Sequence, residues 1–253
     1  MQSKIWLRKT SLVDYPGRIS AVFFFQGCNL RCPWCHNREL VLDSLPNTSL
    51  DEGLAHLRKR SLSLSGVVLS GGEPCLQEAL PEIIGEIKKI PLPVKLDTNG
   101  MFPAMLEKLF SHEKYRPDYI ALDLKISPAR YSGLLAAGSC TDPAASCTDP
   151  AARLTESANL IRKAGITHNY RTLALPGGYI SEKDIEELAP LVDLSPWHFR
   201  PFIGGNCLDP SWDALEESAG DSSARTVALA KKARELGKNA MPWPTSHGAK
   251  NFA

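Results

Sequence analysis

The sequence predicts an α/β fold in which strands alternate with helices, and three observations predict it. Short apolar runs rich in β-branched and aromatic residues recur between segments of helical spacing. Turn residues follow these runs, as Gln26-Gly27, Gly71-Gly72 and Asn99-Gly100 do. The length of 253 residues, 43% hydrophobic and 23% charged, fits one large domain that can bury a core without disulfides. About six strand–helix repeats suit a partial (β/α)6-type barrel or an open doubly wound sheet.

Each element has its own reason. Ile19 to Phe25 is a buried strand by its β-branched and aromatic run. Leu50 to Lys59 has helical spacing, with Ser49 or Asp51 placed to cap it. Gly66 to Ser70 is a short apolar strand, Leu76 to Lys89 a helix, and Val94 to Asp97 the next strand. The alternation continues with a helix near Met101 to Phe110, a strand Tyr119 to Leu124, a helix Leu154 to Ala164 and a strand Asn169 to Leu175. A helix Glu182 to Leu191, a strand Trp197 to Pro201 and a helix Ser222 to Leu236 complete the series. One domain is therefore expected over residues 1–236, with 237–253 as a C-terminal tail. Within it, Ser139 to Ala145 is repeated residue for residue by Ser146 to Ala152, an expected solvent-exposed loop lengthened by duplication.

Composition narrows the function. Lys+Arg 29 against Asp+Glu 28 gives a formal charge of +1, which excludes a strong nucleic-acid field. The first residues lack the apolar stretch of a signal peptide, and the run Ala21 to Phe25 is too short to span a bilayer, so a cytoplasmic setting is expected. In a reducing compartment seven cysteines read as metal ligands and buried thiols. In either α/β architecture the chemistry gathers at the C-terminal ends of the strands.

Three constellations sit at such ends. Cys28, Cys32 and Cys35 follow the first strand in one short loop that can wrap an iron–sulfur cluster and leave one iron open. A zinc knuckle is the bland alternative, but only His36 is near as a fourth ligand. Ser70-Gly71-Gly72-Glu73-Pro74 ends the next strand, with glycines that let backbone approach a ligand and Glu73 as an acceptor. Asp97-Thr98-Asn99-Gly100 and Asp123-Leu124-Lys125 end two more, placing carboxylates at one mouth.

The spacing C-x3-C-x2-C after a strand, with Trp34 before the last cysteine, resembles the signature of radical S-adenosylmethionine (SAM) enzymes. The resemblance implies a partial (β/α)6-type barrel and a [4Fe–4S] cluster on Cys28, Cys32 and Cys35, whose open iron chelates SAM. Reductive cleavage of SAM then gives methionine and a 5′-deoxyadenosyl radical. It implies that Gly71, Gly72 and Glu73 bind the methionine amino group, that Trp34 marks the backbone against the adenine, and that Asp97, Asn99, Asp123 and Lys125 also contact SAM. It further implies a monovalent cation near Asp97, Thr98 and Asp123. The DTNG and DLK elements look like those of glycyl radical enzyme activating enzymes, in which Asp14 and Arg171 would sit nearest the substrate glycine. Ser11-Leu12-Val13-Asp14-Tyr15-Pro16-Gly17 and the wording around the cysteines resemble anaerobic ribonucleoside-triphosphate reductase activating proteins most. The implied partners are that glycyl radical enzyme and a reductant such as flavodoxin or ferredoxin, with no nucleic acid or membrane.

The chain also departs from that pattern. Ile203 follows Pro201-Phe202 where related activases carry a histidine, and Cys75, Cys140, Cys147 and Cys207 show no second-cluster spacing, so one cluster is expected. Gly204 to Pro210 is either a partner-facing loop or a plain connector, and His56, His112, His168, His198 and His247 are expected to be surface or packing residues. Two rival functions remain open: a radical SAM enzyme acting on a small molecule such as a deazapurine precursor, and a non-catalytic metal or electron carrier. A carrier has no use for a SAM pocket.

Overall fold

The computed structural model describes residues 4–137, 149–215 and 219–243. Its elements in chain order are β1 (Lys4–Ser11), β2 (Ser20–Phe25), α1 (Arg38–Val41), β3 (Thr48–Ser49), α2 (Leu50–Arg60) and β4 (Gly66–Gly71). Then come α3 (Leu80–Lys88), β5 (Val94–Thr98), α4 (Pro103–Phe110), β6 (Tyr119–Asp123), α5 (Pro150–Ala164) and β7 (Thr167–Ala174). The series ends with α6 (Glu182–Leu188), β8 (Trp197–Pro201), α7 (Ala219–Glu235) and β9 (Ala240–Pro242).

The nine strands of the described residues join one sheet in the order β3-β1-β2-β4-β5-β6-β7-β8-β9. From β2 through β9 every neighbouring pair is parallel, whereas β1 runs antiparallel to both β2 and β3. The six expected strands are present in sequential order, as right-handed strand–helix crossovers produce. Among the described residues no pairing joins β3 to β9, so the (β/α)6-type barrel is partial.

The strands carry two different faces. Phe23, Phe25, Leu69, Leu96, Leu122, Tyr170 and Phe199 point outward and pack with Ile83, Leu106, Leu154 and Ile185 of the helices in one large apolar cluster. The opposite face holds a small cluster of Tyr15, Val22, Phe24 and Val68, and its register continues into Ser70, Lys95, Asp97, Asp123, Arg171 and Arg200. The inner wall is thus apolar at β2 and charged from β5 to β8.

Three boundaries differ from expectation for identifiable reasons. The helix expected over Leu76–Lys89 is a 3-10 turn, Pro74–Leu76, followed by α3 from Leu80, because Pro81 is tolerated only in a first helical turn. Helix α5 starts at Pro150, four residues early, capped by Asp149, whose carboxylate accepts the Ala151 N–H at 2.9 Å. The second copy of the duplicated segment therefore ends in a helix, while the rest of it lies outside the described residues. Ala240–Pro242, expected in the tail, is a strand of the sheet, paired through Trp197 with Ala240. Ser49 does cap α2, in a reciprocal pair with Glu52. Among the described residues no helix is long and apolar enough to cross a membrane.

Candidate active site

Strand β2 delivers the cysteine loop. Gly27, at φ 85°, turns the chain, and its N–H donates to the Leu40 carbonyl at 2.8 Å, closing the loop onto α1. Cys32 is buried while Cys28 and Cys35 are half-buried. Burial, helped by the nearby Glu73 charge, pushes the Cys28 thiol up to about 11. Burial likewise pushes Cys32 up to about 12 and raises Cys35, with Lys125 pulling all three the other way. The Leu30 N–H points at Cys28 Sγ, 3.4 Å away.

The two glycines of the second motif serve the cysteine loop itself. A Cβ on Gly72 would lie 1.9 Å from the Gly27 carbonyl oxygen, and one on Gly71, at φ 125°, 2.3 Å from that of Phe25. Backbone fills the space that the sequence reading reserved for a ligand. In return the Gly72 and Glu73 N–H groups donate to Phe25 and Gly27 carbonyls at 2.9 Å each. The Glu73 side chain is buried and accepts the Cys75 N–H at 3.0 Å, the Thr98 hydroxyl at 2.8 Å and the Asn99 N–H at 2.8 Å. Burial raises its pKa against these bonds. Asn99 passes the connection on, donating to Asn29 Oδ1 at 2.8 Å beside Cys28.

A strip of alternating charge crosses the next three strand ends. Arg171 on β7 donates from Nε to Asp123 at 2.6 Å and from Nη1 to Asp97 at 3.1 Å. Asp97 also bonds Lys95 and accepts the Ser70 hydroxyl at 3.1 Å. Asp123 bonds Lys125 Nζ at 2.8 Å. Burial alone would raise both carboxyls, but Arg171 with Lys95 or Lys125 holds each below the usual range. Tyr131, fully buried, accepts the Lys125 backbone N–H at 2.8 Å and so fixes the turn that carries the lysine.

The structure brings Cys28, Glu73 and Asn99 into one network and Asp97, Asp123, Lys125 and Arg171 into another. The three groups expected around a monovalent cation do not meet. The Thr98 hydroxyl is turned to Glu73 and to the Gly100 N–H at 3.2 Å, while Asp97 and Asp123 face Arg171. Asp14 accepts the Ser11 hydroxyl at 2.5 Å, has Arg8 at 3.8 Å, and lies within electrostatic reach of Lys95 and Arg200 on the inner wall. Trp34 as a whole residue is 2% exposed, packed against Tyr179 at 5.0 Å and Trp212 at 5.2 Å between ring centres, so its ring belongs to the core and is no open face for a ligand.

Sequence reasoning missed what covers the cysteines. The Gly204–Asp213 stretch lies along their loop, with the Leu208 and Asp209 N–H groups donating to Cys35 and Pro33 carbonyls at 2.9 Å each. Asp213 accepts the Gly205 and Cys207 N–H groups at 3.0 and 2.9 Å, and Gly205 gives its carbonyl to His36 at 3.1 Å. Its excess of turn residues was legible, but its target was not.

These residues fit an iron–sulfur cluster. Three thiols share one short loop, beside a lysine that offsets the charge they would carry as thiolates and an N–H directed at sulfur, and metal binding would draw off the protons that burial holds on them. Among the described residues no three His, Cys, Asp or Glu side chains gather around a single ion. Thiolates on separate irons of one cluster need not converge in that way. The radical SAM superfamily model matches residues 22–192, and the chain belongs to this family, whose members use a [4Fe–4S] cluster and SAM.

The relatives sharpen this. A Methanocaldococcus jannaschii protein with the provisional name glycyl-radical enzyme activating enzyme is 32% identical over 224 residues, 88% of this chain and 89% of that protein. The pyruvate formate-lyase-activating enzyme of Clostridium pasteurianum is 35% identical over 129 residues, 47% of this chain and 50% of that enzyme. The 7-carboxy-7-deazaguanine synthase of Aquifex aeolicus is 34% identical over 84 residues, 33% of this chain and 37% of that enzyme. In fold the chain matches a radical SAM methyltransferase from Sphaerobacter thermophilus with TM-score 0.62 at 17% identity, over 90% of this chain and 67% of the other.

Proposed function

We propose that the chain is an activating enzyme for a glycyl radical enzyme, removing a hydrogen atom from a glycine Cα of its partner. The observation that carries this reading is the placement of Asp14. The Ser11–Arg18 segment, whose wording resembles the activases, carries that carboxylate, held by Ser11 and Arg8, on the side of the sheet where it interacts electrostatically with Lys95 and Arg200. Identity to the M. jannaschii protein over 88% of this chain supports the same class. The partner we propose is an anaerobic ribonucleotide reductase, with a flavodoxin or ferredoxin as reductant.

When bound, the cluster and SAM supply a 5′-deoxyadenosyl radical by one-electron reductive cleavage of the sulfonium. The protein's own work is to hold and aim. Cys28, Cys32 and Cys35 would hold the cluster. Glu73 and the Gly71-Gly72 turn, which brace the cysteine loop, would border the methionine amino group, the Trp34 backbone would meet the adenine, and Asn99, Asp97, Asp123 and Lys125 would meet the rest of SAM. Arg171 keeps Asp97 and Asp123 ionised and apart, so neither carboxylate takes up a proton near the reacting carbon. With Asp14 it flanks the incoming glycine, and this fixed geometry directs a radical that attacks whatever it touches.

Anaerobically reconstituted protein should bind about four irons and form 5′-deoxyadenosine under reduction. Adding the glycyl radical subunit of anaerobic ribonucleotide reductase should give a glycyl EPR doublet. A second reading, action on a small deazapurine precursor, is favoured by the match to the A. aeolicus synthase over a third of the chain. Turnover of such a substrate with no doublet would establish that reading instead. Zinc in place of iron, with no SAM cleavage, would reject both.

A further inference from the structure

We infer that Arg31 is a positioning residue for the iron–sulfur cluster: its guanidinium clamps the spacer between Cys28 and Cys32 and keeps a positive charge beside the thiolates that eases reduction. This rests on membership of the radical SAM family. It holds whether the substrate is a protein glycine or a small molecule.

The clamp follows from where the spacer's carbonyls go. Arg31 Nη1 donates to the Cys28 carbonyl at 2.7 Å and to the Leu30 carbonyl at 3.0 Å. The Asn29 carbonyl between them accepts the Ala136 N–H at 2.9 Å, and the Arg31 backbone N–H donates to the Leu134 carbonyl at 2.7 Å. A bridge between Leu30 and Leu135 completes this seam. Every carbonyl from Cys28 to Leu30 is thus taken, two of them by one side chain. The same loop shape turns the Leu30 N–H to Cys28 Sγ, 3.4 Å away, and hydrogen bonds to sulfur help to set a cluster's potential.

The charge matters because of what it meets. Lys125 also acts on all three thiols, but Asp123 holds its Nζ at 2.8 Å and offsets it. Arg31 is exposed and bonds neutral carbonyls, and among the described residues no carboxylate pairs with it. Burial raises the Cys35 thiol, and Arg31 is among the groups that draw it back. The guanidinium therefore lies against the carbonyl of the first ligand and within electrostatic reach of the last. Three thiolates and an added electron concentrate negative charge at one place, and a fixed cation nearby favours the reduced form. A guanidinium keeps that charge at every working pH.

The test is a redox titration of the anaerobically reconstituted protein, read by the EPR signal of the reduced cluster, with two variants. Arg31→Gln keeps a donor for the carbonyls and removes the charge; Arg31→Lys keeps the charge and loses the planar fork. At a fixed potential in low salt, the ratio of reduced to oxidised cluster should fall about fivefold in Arg31→Gln, about 40 mV for one electron, and stay within about twofold of wild type in Arg31→Lys. Iron content should remain about four per chain in both. Because the charge is exposed, the gap between wild type and Arg31→Gln should narrow as ionic strength rises towards about 1 M. A change of loop shape alone would not respond to salt. An unchanged ratio in Arg31→Gln overturns the inference, and so does a ratio in Arg31→Lys as low as that of Arg31→Gln. Should Arg31→Gln fail to load iron, Arg31→Lys decides: a loaded cluster with the wild-type ratio supports the inference, and a fivefold fall overturns it.

Discussion

The Glu73 carboxylate accepts the backbone N–H of Asn99 at 2.8 Å, and this bond ties the end of β4 to the end of β5. It makes a residue expected only to bind a ligand into a structural cross-brace. Removing a carboxylate that satisfies three donors leaves those donors orphaned. Glu73→Ala should therefore lower stability by about 2–4 kcal/mol, a Tm drop of about 5–10 °C for a chain this size. A denaturant curve superimposing on wild type would show that Thr98 and Asn99 are held by other means.

Gly72 permits no side chain, because its Cβ would fall 1.9 Å from a backbone oxygen of the cysteine loop. Backbone cannot swing aside as a flexible side chain does. Gly72→Ala should cost about 3 kcal/mol or more and displace Cys28 from its place. Iron content after reconstitution is the direct readout. Full iron loading would mean that the two loops separate more easily than their contact implies.

Arg171 governs how the protein responds to acid. Asp97 and Asp123 have folded pKa values below their ordinary range, so their contribution is complete at neutral pH and is lost as pH falls below about 4. Arg171→Met should remove that dependence and destabilise the neutral protein by exposing two buried carboxylates to each other. Urea unfolding between pH 2 and 7, about the range of these carboxylates, should show a steep acid limb for wild type and a shallower one for the variant. Parallel limbs would place the titrating groups elsewhere.

The cover over the cysteines is pinned by Asp213, whose oxygen accepts two backbone N–H groups. Asp213→Ala frees both donors and loosens the cover while leaving every thiol in place. Reconstituted variant should lose iron to a chelator several-fold faster than wild type, followed by loss of the cluster's visible absorption. Equal rates would assign the shielding to Trp212 and the aromatic packing around Trp34.

Much of this was legible in the chain. Local signals found the strands and helices because apolar runs, caps and turn residues act within a few positions, as at Ser49 and Asn99-Gly100. They placed Cys28, Glu73, Asp97 and Asp123 at strand ends. Strand β1 was missed because Ile5 and Leu7 alternate with Lys4, Trp6 and Arg8 only until Lys9 breaks the pattern, and its pairing with β2 is a tertiary fact. Strand β9 is three residues long and has no periodicity to read. His198 was expected among surface or packing residues, and only register with Arg171 puts it on the inner wall. The glycines at 71 and 72 were rightly marked as a close approach, but what approaches them comes from β2 and the cysteine loop. Cys140, Cys147 and His247 lie outside the described residues.

The strand of backbone that shelters the cysteines comes from Leu208 and Asp209, far along the chain from the Cys35 and Pro33 carbonyls it bonds. A ribosome releases the thiols long before it makes their cover. Until the C-terminal third has emerged and docked, the half-finished protein presents three exposed thiols in a bare loop, open to oxidants and to adventitious metals. Maturation then has a natural order: the thiols emerge first and their Leu208–Asp209 cover docks later.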